Sequence, residues 1–335
     1  MTVAPLHLTF ACGDYDRTRA LSEGTIRPDG IDLTYLRLPV EETFFRMMRH
    51  REFEVAELSL SSYVLSLDKG GPDGPPFVAL PVFPSRMFRH GSLYCHADAG
   101  ITAPEDLRGK VVGTPEYQLT ACVWMRGILG DRHGVPFDSV EYRTGGQETP
   151  GRIEKAGVEL PDSVRISAIP EDRTLASMLA EGEIDALCTP RVPGPFVAGD
   201  PRVRRVFPDV VAAEKDYYAA TGIFPIMHVV VIRRDVYERH PWVAQSLYKA
   251  LLAAKDEAYG RIYDTSALRF MLPWLIPQLE EARELLGADF WSYGLQRNRE
   301  TLSTFLRYHH EQGLSRRLWT PEELFAPESL ESAVI

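Results

Sequence analysis

The sequence predicts an α/β protein of two lobes, the second inserted into the first. Strand and helix patterns alternate along residues 5–83, a second alternation begins near residue 103, and a strongly apolar strand then precedes a mostly helical C-terminal region. Alternating strands and helices favour partly parallel sheets with helices on their faces. We therefore assign residues 1–99 and 223–335 to lobe 1 and residues 100–222 to lobe 2.

The first lobe opens with strands that alternate with helices. Alternation of apolar and polar residues marks the strands, and apolar residues three and four positions apart mark the helices. Phe44, Met47 and Met48, for example, share one face of a predicted helix. The strand patterns are "PLHLTFACG", "IDLTYLRL", "EVAELSL" and "FVALPVF", and the helical patterns are "DRTRALSEG", "EETFFRMMRHREF" and "SSYVLSLDKGG".

The second lobe repeats this alternation before the chain returns to the first. Its strand patterns are "KVVGT", "DSVEYRTGG", "SVRISAIP" and "IDALC", its helical patterns are "QLTACVWMRGIL" and "TLASMLAEG", and the returning strand is "TGIFPIMHVVVIRRD". Glu214 and Tyr217 in "EKDYY" are expected in a hinge loop. Two interlobe crossings are expected, near Gly91–Ala99 and Pro225–Val231. Ligands of such sheets bind at the carboxyl ends of the strands, so the functional site is expected in the cleft.

Composition restricts the class of partner and the compartment. The chain of 335 residues has a net charge of -10, which argues against general binding of nucleic acid or of an anionic membrane. Its four cysteines form no C-x-x-C pair and no zinc-type spacing, so they are expected as reduced core residues; they are Cys12, Cys95, Cys122 and Cys188. The opening residues lack a basic start followed by an apolar run, so no export signal is expected. These features favour a cytoplasmic protein.

Arg86, Arg89 and His90 are clustered in "PSRMFRHGSLY", between two segments that read as buried strand. Unpaired buried charge is costly, so an anionic ligand or a proton-transfer role would explain this cluster. In a regular strand Arg86 and His90 share one face and Arg89 lies on the other. All three can face one cleft only if the strand ends or bulges. The structural alternative is an ion pair with a carboxylate such as Glu57 or Asp14.

Several segments carry a resemblance to a known family. They are "PEDLRGKVVGTPEYQLTACVWMRGIL", "GEIDALCTPR", "TGIFPIMHVVVIRRDVYE" and "PWVAQSLYKA", and the pair "RMFRH" and "TGIFPIMH" is more specific. Their order resembles the 4,5-dihydroxyphthalate decarboxylase family, which is similar in fold to type II periplasmic solute-binding proteins. The resemblance implies a two-lobed, periplasmic-binding-protein-like (type II) α/β fold. It also implies a cytoplasmic carboxy-lyase that acts on a hydroxylated aromatic dicarboxylate, such as the conversion of 4,5-dihydroxyphthalate to protocatechuate.

Such a decarboxylation needs three kinds of group. A base at a ring hydroxyl pushes electron density towards the para carbon, an acid protonates that carbon, and cations hold the carboxylates. Arginine holds carboxylates in bidentate geometry, and histidine moves protons near neutral pH. No cofactor is needed for this chemistry, and we expect neither a cofactor nor a metal.

The residue types and their positions suggest which side chains have these roles. Arg86, Arg89 and Arg191 are the expected carboxylate ligands, and His90 and His228 are the expected acid/base pair. Arg191 follows the strand "IDALC", and its alternative is an exposed loop arginine. His228 lies among apolar residues, where a satisfied core histidine is the alternative. Which histidine protonates carbon is left open.

Five further residues complete the expected site. Glu57 would accept a hydroxyl proton, and Asp14 could act in the same way. Tyr117 and Thr120 lie at a helix N-terminus, where free N–H groups favour an anion. Ser59 is placed at a helix N-cap beside the substrate. The alternatives are an arginine-paired Glu57, a Thr120 that only caps its helix, and a Tyr117 that only packs.

Two other functions are compatible with the same residues. One is a non-catalytic solute-binding protein for a small aromatic or aliphatic carboxylate. The other is a different enzyme on this scaffold, such as the menaquinone- or thiamine-precursor enzymes. The expected partner is a small aromatic carboxylate, with no nucleic acid and no membrane. The sequence leaves a homo-oligomer open, because the apolar C-terminal helices fit either an interface or a core.

Overall fold

The computed structural model describes residues 4–70, 74–152 and 157–330. The strands are β1 (Leu6–Cys12), β2 (Ile31–Arg37), β3 (Val55–Ser59), β4 (Phe77–Leu80), β5 (Leu93–His96), β6 (Val111–Thr114), β7 (Glu141–Thr144), β8 (Arg165–Ala168), β9 (Ala186–Cys188), β10 (Val203–Arg205) and β11 (His228–Arg233). The helices are α1 (Asp16–Ser22), α2 (Val40–His50), α3 (Leu60–Asp68), α4 (Thr120–His133), α5 (Leu175–Ala180), α6 (Gly194–Val197), α7 (Val210–Thr221), α8 (Arg234–Arg239), α9 (Trp242–Ile262), α10 (Leu275–Leu286) and α11 (Arg299–Glu311).

The chain divides into two compact units. Unit 1 comprises Met1–Arg86, Ile226–Leu302 and Trp319–Ile335, and unit 2 comprises Met87–Pro225 and Ser303–Leu318. The chain therefore passes between the units four times, whereas the sequence analysis expected two crossings. The difference arises because the sequence analysis kept all C-terminal helices in lobe 1. The lobe limits expected from the sequence, at residues 99 and 223, stay predictions, because the compact units do not test them directly.

Unit 1 is organised around a five-stranded sheet with the order β2-β1-β3-β11-β4. β1 pairs in parallel with β2 and β3, and β11 runs antiparallel to both β3 and β4. Every residue of β3 and β4 is buried. β4 is continuously apolar, as is typical of a strand covered on both faces, whereas β3 carries the polar residues Glu57 and Ser59. The antiparallel β11 is the returning strand, and it places the start of that strand beside the end of β3.

Unit 2 contains a six-stranded sheet with the order β10-β5-β9-β6-β7-β8. β6 pairs in parallel with both β7 and β9, whereas β5 is antiparallel to β9 and β10. The carboxyl ends of β6, β7 and β9 therefore meet at one edge of the sheet. The loops that leave this edge carry several of the predicted site residues.

The last helix explains why residues 303–318 belong to unit 2. Phe305 and Tyr308 of α11 contact the fully buried Trp124 of α4, with ring centroids 5.4 and 5.7 Å from the indole. The hydroxyl of Tyr308 also donates to Asp131 at 2.7 Å. Sequence patterns indicate a helix here but not the unit against which it packs.

Two further observations concern the whole chain. All four cysteines are buried and free, as the sequence analysis expected. In the part of the chain that the structure describes, no helix combines the length and the apolar character that crossing a membrane requires.

Candidate active site

Glu57 lies at the centre of a hydrogen-bonded cluster in unit 1. Its side chain is fully buried in β3. One carboxylate oxygen, Oε2, accepts from the backbone amide of Gly13 at 3.0 Å and from the Cys12 thiol at 3.4 Å. The other, Oε1, accepts from the Tyr15 hydroxyl at 2.8 Å and lies 2.6 Å from Nδ1 of His228. The carboxylate is therefore surrounded by donors.

The strand register explains why His228 meets Glu57. His228 begins β11 and is paired with Ser59, two residues beyond Glu57 in β3. Residues two apart in a strand share a face, so Glu57, Ser59 and His228 lie on the same side of the sheet. Diagonal neighbours of this kind are close enough for long side chains to touch. Phe44 packs edge-on against the His228 ring, with centroids 4.8 Å apart, and fixes its other side.

The surroundings keep Glu57 ionised although it is buried. Burial alone raises the pKa of this carboxyl group, but the hydrogen bond from His228, together with the charge of that ring when it is protonated, opposes it. With the Gly13 amide and the Tyr15 hydroxyl, they hold the pKa of Glu57 below its usual range. Burial and the adjacent Glu57 charge raise the pKa of the Tyr15 hydroxyl and of the Cys12 thiol, so both remain protonated donors.

The cluster leaves one ring nitrogen of His228 available. An ionised carboxylate can only accept, so Nδ1 of His228 carries the proton that it shares with Glu57. Within the described residues, Nε2 has no hydrogen-bond partner, and the side chain is 15% exposed. Nε2 can therefore take a proton from a ligand, and the Glu57 charge stabilises the imidazolium that results. A carboxylate that orients a histidine in this way is a recurring acid–base arrangement.

Ser59 and Asp14 lie close to this cluster in the chain but have other contacts. The Ser59 hydroxyl caps α3 by accepting from the Ser62 amide at 3.4 Å, which confirms the predicted N-cap. Asp14 is exposed, and its carboxylate lies 3.9 Å from the Arg37 guanidinium. The ligand-binding roles of both residues stay predictions.

Arg86 is held by contacts within unit 1. The segment around it is not a regular strand, since only an isolated bridge joins Arg86 to Ile226. Its Nη2 donates to the carbonyl of Ser292 at 2.7 Å and to the side-chain oxygen of Asn298. Neither Glu57 nor Asp14 is among these partners. The contacts fit a structural arginine, and its expected role as a carboxylate ligand stays untested.

His90 and Arg89 are buried in unit 2. His90 starts a short 3-10 turn, and its ring packs against Phe207 and Tyr217 with centroids 5.1 and 5.3 Å away. Burial, with a smaller contribution from His133, lowers the pKa of His90 to about 4. Burial also lowers the pKa of Arg89 to about 10, which leaves it charged at neutral pH. His90 is therefore neutral at pH 7, a poor starting state for a proton donor.

The predicted anion site at the start of α4 contains a helix terminus without a side-chain cap. The N-cap residue is Leu119, so Thr120 is the first helical residue and not the cap. The Tyr117 ring is buried and lies 3.8 Å from the Arg126 guanidinium. Arg126 also donates to the Tyr117 carbonyl at 2.6 Å and to the Gln312 side chain at 2.7 Å. These contacts fit the packing alternative for Tyr117, and ligand binding by Tyr117 and Thr120 stays a prediction.

Arg191 leaves the carboxyl end of β9 and is exposed. Its backbone amide donates to the Thr189 hydroxyl at 3.3 Å, and its carbonyl accepts from Gln147 at 3.3 Å. The Thr189 hydroxyl in turn donates to Gln147. Thr189 and Gln147 therefore hold the backbone of Arg191 at the sheet edge where β6, β7 and β9 end.

Several residues of these clusters were missed by the sequence analysis. Tyr15 was passed over although it stands in "ACGDYDR", directly after a strand, where ligand-facing residues are common. Gln147 follows the glycines of "TGGQ" at the end of β7 and could have been found in the same way. Glu214 and Tyr217 were placed in a loop, and that prediction was wrong, since both lie in α7.

Among the residues that the structure describes, no three His, Cys, Asp or Glu side chains are grouped so that they could hold a metal ion.

Solved structures define the class of fold. The chain is similar to a sulfonate-binding protein of Methylobacillus flagellatus, with a TM-score of 0.55, 13% identity and coverage of 97% of this chain and 93% of the other. It is also similar to the alkanesulfonate-binding protein of Xanthomonas axonopodis, with a TM-score of 0.51, 11% identity and coverage of 98% and 99%. The protein therefore has the two-lobed, type II periplasmic-binding-protein-like fold, as predicted.

Sequence relatives identify the family within that fold. A 4,5-dihydroxyphthalate decarboxylase of Comamonas testosteroni is 44% identical over 330 residues, which cover 98% of this chain and 99% of the relative. One of Pseudomonas putida is 44% identical over 215 residues, which cover 64% of this chain and 82% of the relative. No model of a known protein family matches the chain. The chain belongs to the 4,5-dihydroxyphthalate decarboxylase family, and the predicted enzyme class, a carboxy-lyase, is confirmed.

Proposed function

We propose that the protein decarboxylates 4,5-dihydroxyphthalate to protocatechuate, with His228 as the residue that moves protons. The substrate follows from the names of both relatives. The observation that most strongly supports this role of His228 is its 2.6 Å hydrogen bond to Glu57, which is buried and ionised. This bond fixes the proton on Nδ1 and leaves Nε2 for the substrate.

The proposed step begins at a ring hydroxyl para to the carboxylate that leaves. Nε2 of His228 takes the hydroxyl proton, and the Glu57 charge stabilises the imidazolium. Electron density moves through the ring to the carbon that carries the carboxylate, and that carbon is protonated. Its bond to the carboxylate then breaks, the ring becomes aromatic again, and the His228 imidazolium returns its proton to the ring oxygen. A dianion and one proton become carbon dioxide and a monocarboxylate, so the charges balance.

We assign the proton-accepting role to His228 and not to His90. The His90 ring is enclosed by Phe207 and Tyr217, and burial lowers its pKa to about 4, so it is a weak base at neutral pH. His228 lies beside the Glu57 carboxylate, which stabilises the charged form of its ring. The donor of the proton to carbon is left unassigned.

Arg191 is proposed to bind a carboxylate of the substrate. Its guanidinium belongs to an exposed side chain whose backbone is held by Thr189 and Gln147. Arg191→Lys keeps the charge but loses the bidentate geometry, so KM for the substrate should rise while kcat changes little. An unchanged KM would remove Arg191 from the binding site. Arg89, which is charged but buried, is a second candidate ligand.

The first experiment measures carbon dioxide release from 4,5-dihydroxyphthalate by the purified, EDTA-treated protein. Wild-type protein should release carbon dioxide, and His228→Asn should lower kcat at least about 100-fold, the lower range for general acid–base catalysis. His7→Asn is the matched control, because His7 also pairs with a carboxylate of the same sheet, Asp32, but at an exposed site. Binding without release in the wild type would favour the solute-binding alternative.

Release only after a metal is restored would keep the reaction but replace the mechanism proposed for His228. The cytoplasmic location, the cofactor-independent chemistry and the oligomeric state stay predictions.

A further inference from the structure

A second concave site lies in unit 1, outside the Glu57 cluster. It is formed by the start of α1, the C-terminal half of α9 and the adjacent residues Phe290 and Trp291, and it is open to solvent on one side. None of the groups that hydrogen-bond to Glu57 lines it. The proposed reaction therefore leaves this pocket without a role.

Three aromatic side chains form much of its wall and are held by hydrogen bonds and ring packing. The Trp291 indole N–H donates to the Phe83 carbonyl at 2.9 Å, and its backbone amide donates to the Tyr259 hydroxyl at 2.7 Å. Phe290 packs edge-on against Tyr259 with ring centroids 5.1 Å apart. Ala258 and Ile262 of α9 complete the apolar surface. These contacts hold the three rings in place, and the wall that they form suits a flat, apolar group.

Two cationic side chains also line the pocket, and each has at least one N–H group that is available to hydrogen-bond a ligand. Arg17 uses Nε for the Pro84 carbonyl and Nη1 for Asp16, and its Nη2 has no partner among the described residues. Its guanidinium lies 4.3 Å from the Trp291 ring centroid. Lys255 is 3% exposed, and its ammonium bonds to Asp289 at 2.6 Å. An ammonium group has three donors, so this contact leaves others for a ligand.

We propose that this pocket binds a small aromatic monocarboxylate. The aromatic wall suits the ring, and Arg17 with Lys255 suits the carboxylate, because charge-assisted hydrogen bonds to such cations are strong. The charge of the ligand follows from the neighbouring carboxylates. Asp16 pairs with Arg17, Asp289 pairs with Lys255 and also with Arg297 at 2.8 Å, and Asp256 lies 3.7 Å from the Lys255 ammonium. These cations and carboxylates balance one another, so a ligand with one negative charge is repelled less than a dianion.

The pocket shares a wall with the Glu57 cluster. The Arg17 guanidinium lies 4.1 Å from the Tyr15 ring centroid, and the Tyr15 hydroxyl donates to Glu57. A ligand that draws Arg17 towards it would change the packing of Tyr15. Protocatechuate, the product of the proposed reaction, is itself an aromatic monocarboxylate, but binding in the pocket does not depend on that reaction.

Benzoate is the probe, and the Ile262 methyl group is the reporter. Full-length protein is labelled with ¹³C at isoleucine δ1 methyl groups, the Ile262 signal is assigned with Ile262→Val, and benzoate is titrated. The Ile262 signal should shift and saturate in wild-type protein. In Lys255→Met about tenfold more benzoate should be needed, which corresponds to about 1.4 kcal/mol. Lys249→Met is the control, because Lys249 lies exposed on the same helix, and its titration should match the wild type.

Benzyl alcohol tests the charge without a mutation. It keeps the ring but lacks the carboxylate, so it should shift the Ile262 signal only at much higher concentration than benzoate. The proposal is overturned if benzoate gives no saturable shift at Ile262, if Lys255→Met and Lys249→Met bind benzoate alike, or if benzyl alcohol binds as well as benzoate. None of these readouts measures turnover, so a failure here is distinct from a failure of the proposed decarboxylation.

Discussion

Glu57 is a charged residue in a place where burial opposes charge. The energy needed to keep it ionised is supplied by four donors, and the shortest of these contacts, 2.6 Å, is to His228. A buried charge is tolerated when it is paired and hydrogen-bonded. The buried negative charge lies next to the His228 ring. It therefore stabilises the protonated form of that ring, which a proton-accepting histidine requires.

Replacement of Glu57 by glutamine should therefore impair catalysis more than folding. Glu57→Gln keeps the size and one acceptor, but it removes the charge that stabilises the imidazolium. We expect kcat to fall at least about 100-fold, within the range for general acid–base groups. Glu54→Gln is the matched control, because Glu54 is a carboxylate of the same region that accepts from the Thr9 amide and lies outside the cluster. Steady-state kinetics and circular dichroism measure both effects, and equal kcat values for the two variants would exclude the proposed role.

His90 should make the stability of the protein depend on pH. Its pKa is about 4 in the folded protein and about 6.5 in an unfolded chain, because burial opposes its charged form. Between these values the unfolded chain binds a proton that the folded protein does not, so the free energy of unfolding falls as the pH falls. The stability is fully present above pH 6.5, and up to about 3 kcal/mol is lost by pH 4.

Urea unfolding at pH 7 and pH 4.5 measures this loss. His90→Phe removes the titrating group while it keeps an aromatic ring beside Phe207 and Tyr217. The loss of stability between the two pH values should be smaller in His90→Phe than in the wild type. An equal loss in both proteins would show that other groups account for the pH dependence.

At the level of elements, most strands could be predicted from the sequence, because alternating apolar and polar residues or short apolar runs mark them. β10 was missed, since it has only three residues, two of them arginine, and pairs antiparallel at the sheet edge. α7 was missed although its signals are present. Asp209 caps it by accepting from the Ala212 amide at 3.0 Å, and Gly222 ends it with a φ of 65°. The cap and the glycine could have identified this helix.

The packing of α4 against α11 depends on a glycine. A Cβ atom added at Gly127 would lie 2.2 Å from ring atoms Cγ and Cδ2 of Tyr308, which is 3% exposed and cannot move freely. Gly127→Ala should therefore lower the free energy of unfolding by about 1–3 kcal/mol through overpacking. A Cβ atom added at Gly130, which also lies on α4, would have only the Val135 carbonyl oxygen nearby, at 3.8 Å.

Gly130→Ala is the control, and it should be neutral or stabilising by up to about 1 kcal/mol, because alanine favours helix more than glycine. Thermal or urea unfolding of the two variants tests the pair. If both changes have the same effect, close packing of Tyr308 over Gly127 is not what holds the two helices.

For the whole molecule, the candidate site depends on pairing between distant segments. Glu57 and His228 are 171 residues apart, and only the register of β11 against β3 brings them together. The sequence indicated both residues singly, because Glu57 is an acidic residue in a strand pattern and His228 lies at the start of the returning strand. It could not indicate that they bond to one another, or that Tyr15 donates to the same carboxylate. Arg86 shows the converse, since its partners Ser292 and Asn298 come from a segment with no recognisable pattern.

The division of the chain into units predicts how a fragment behaves. A polypeptide of residues 87–225 lacks residues 303–318, which complete unit 2. In that fragment Trp124, fully buried in the intact protein, loses the cover of Phe305 and Tyr308. Loss of such contacts costs several kcal/mol, a large fraction of the stability of a domain. The fragment alone should therefore show no cooperative thermal transition.

A peptide of residues 299–318, added in trans, should restore a cooperative transition, because it supplies the missing apolar face and the bond from Tyr308 to Asp131. The control is the same peptide with Phe305→Asp and Tyr308→Asp, which should have no effect. Circular dichroism during heating measures the transition. A cooperative transition of the fragment alone, at an unchanged temperature when the peptide is added, would show that unit 2 is complete without the return of α11. In that case the lobe limits expected from the sequence would describe the folding units better than the contact-based division does.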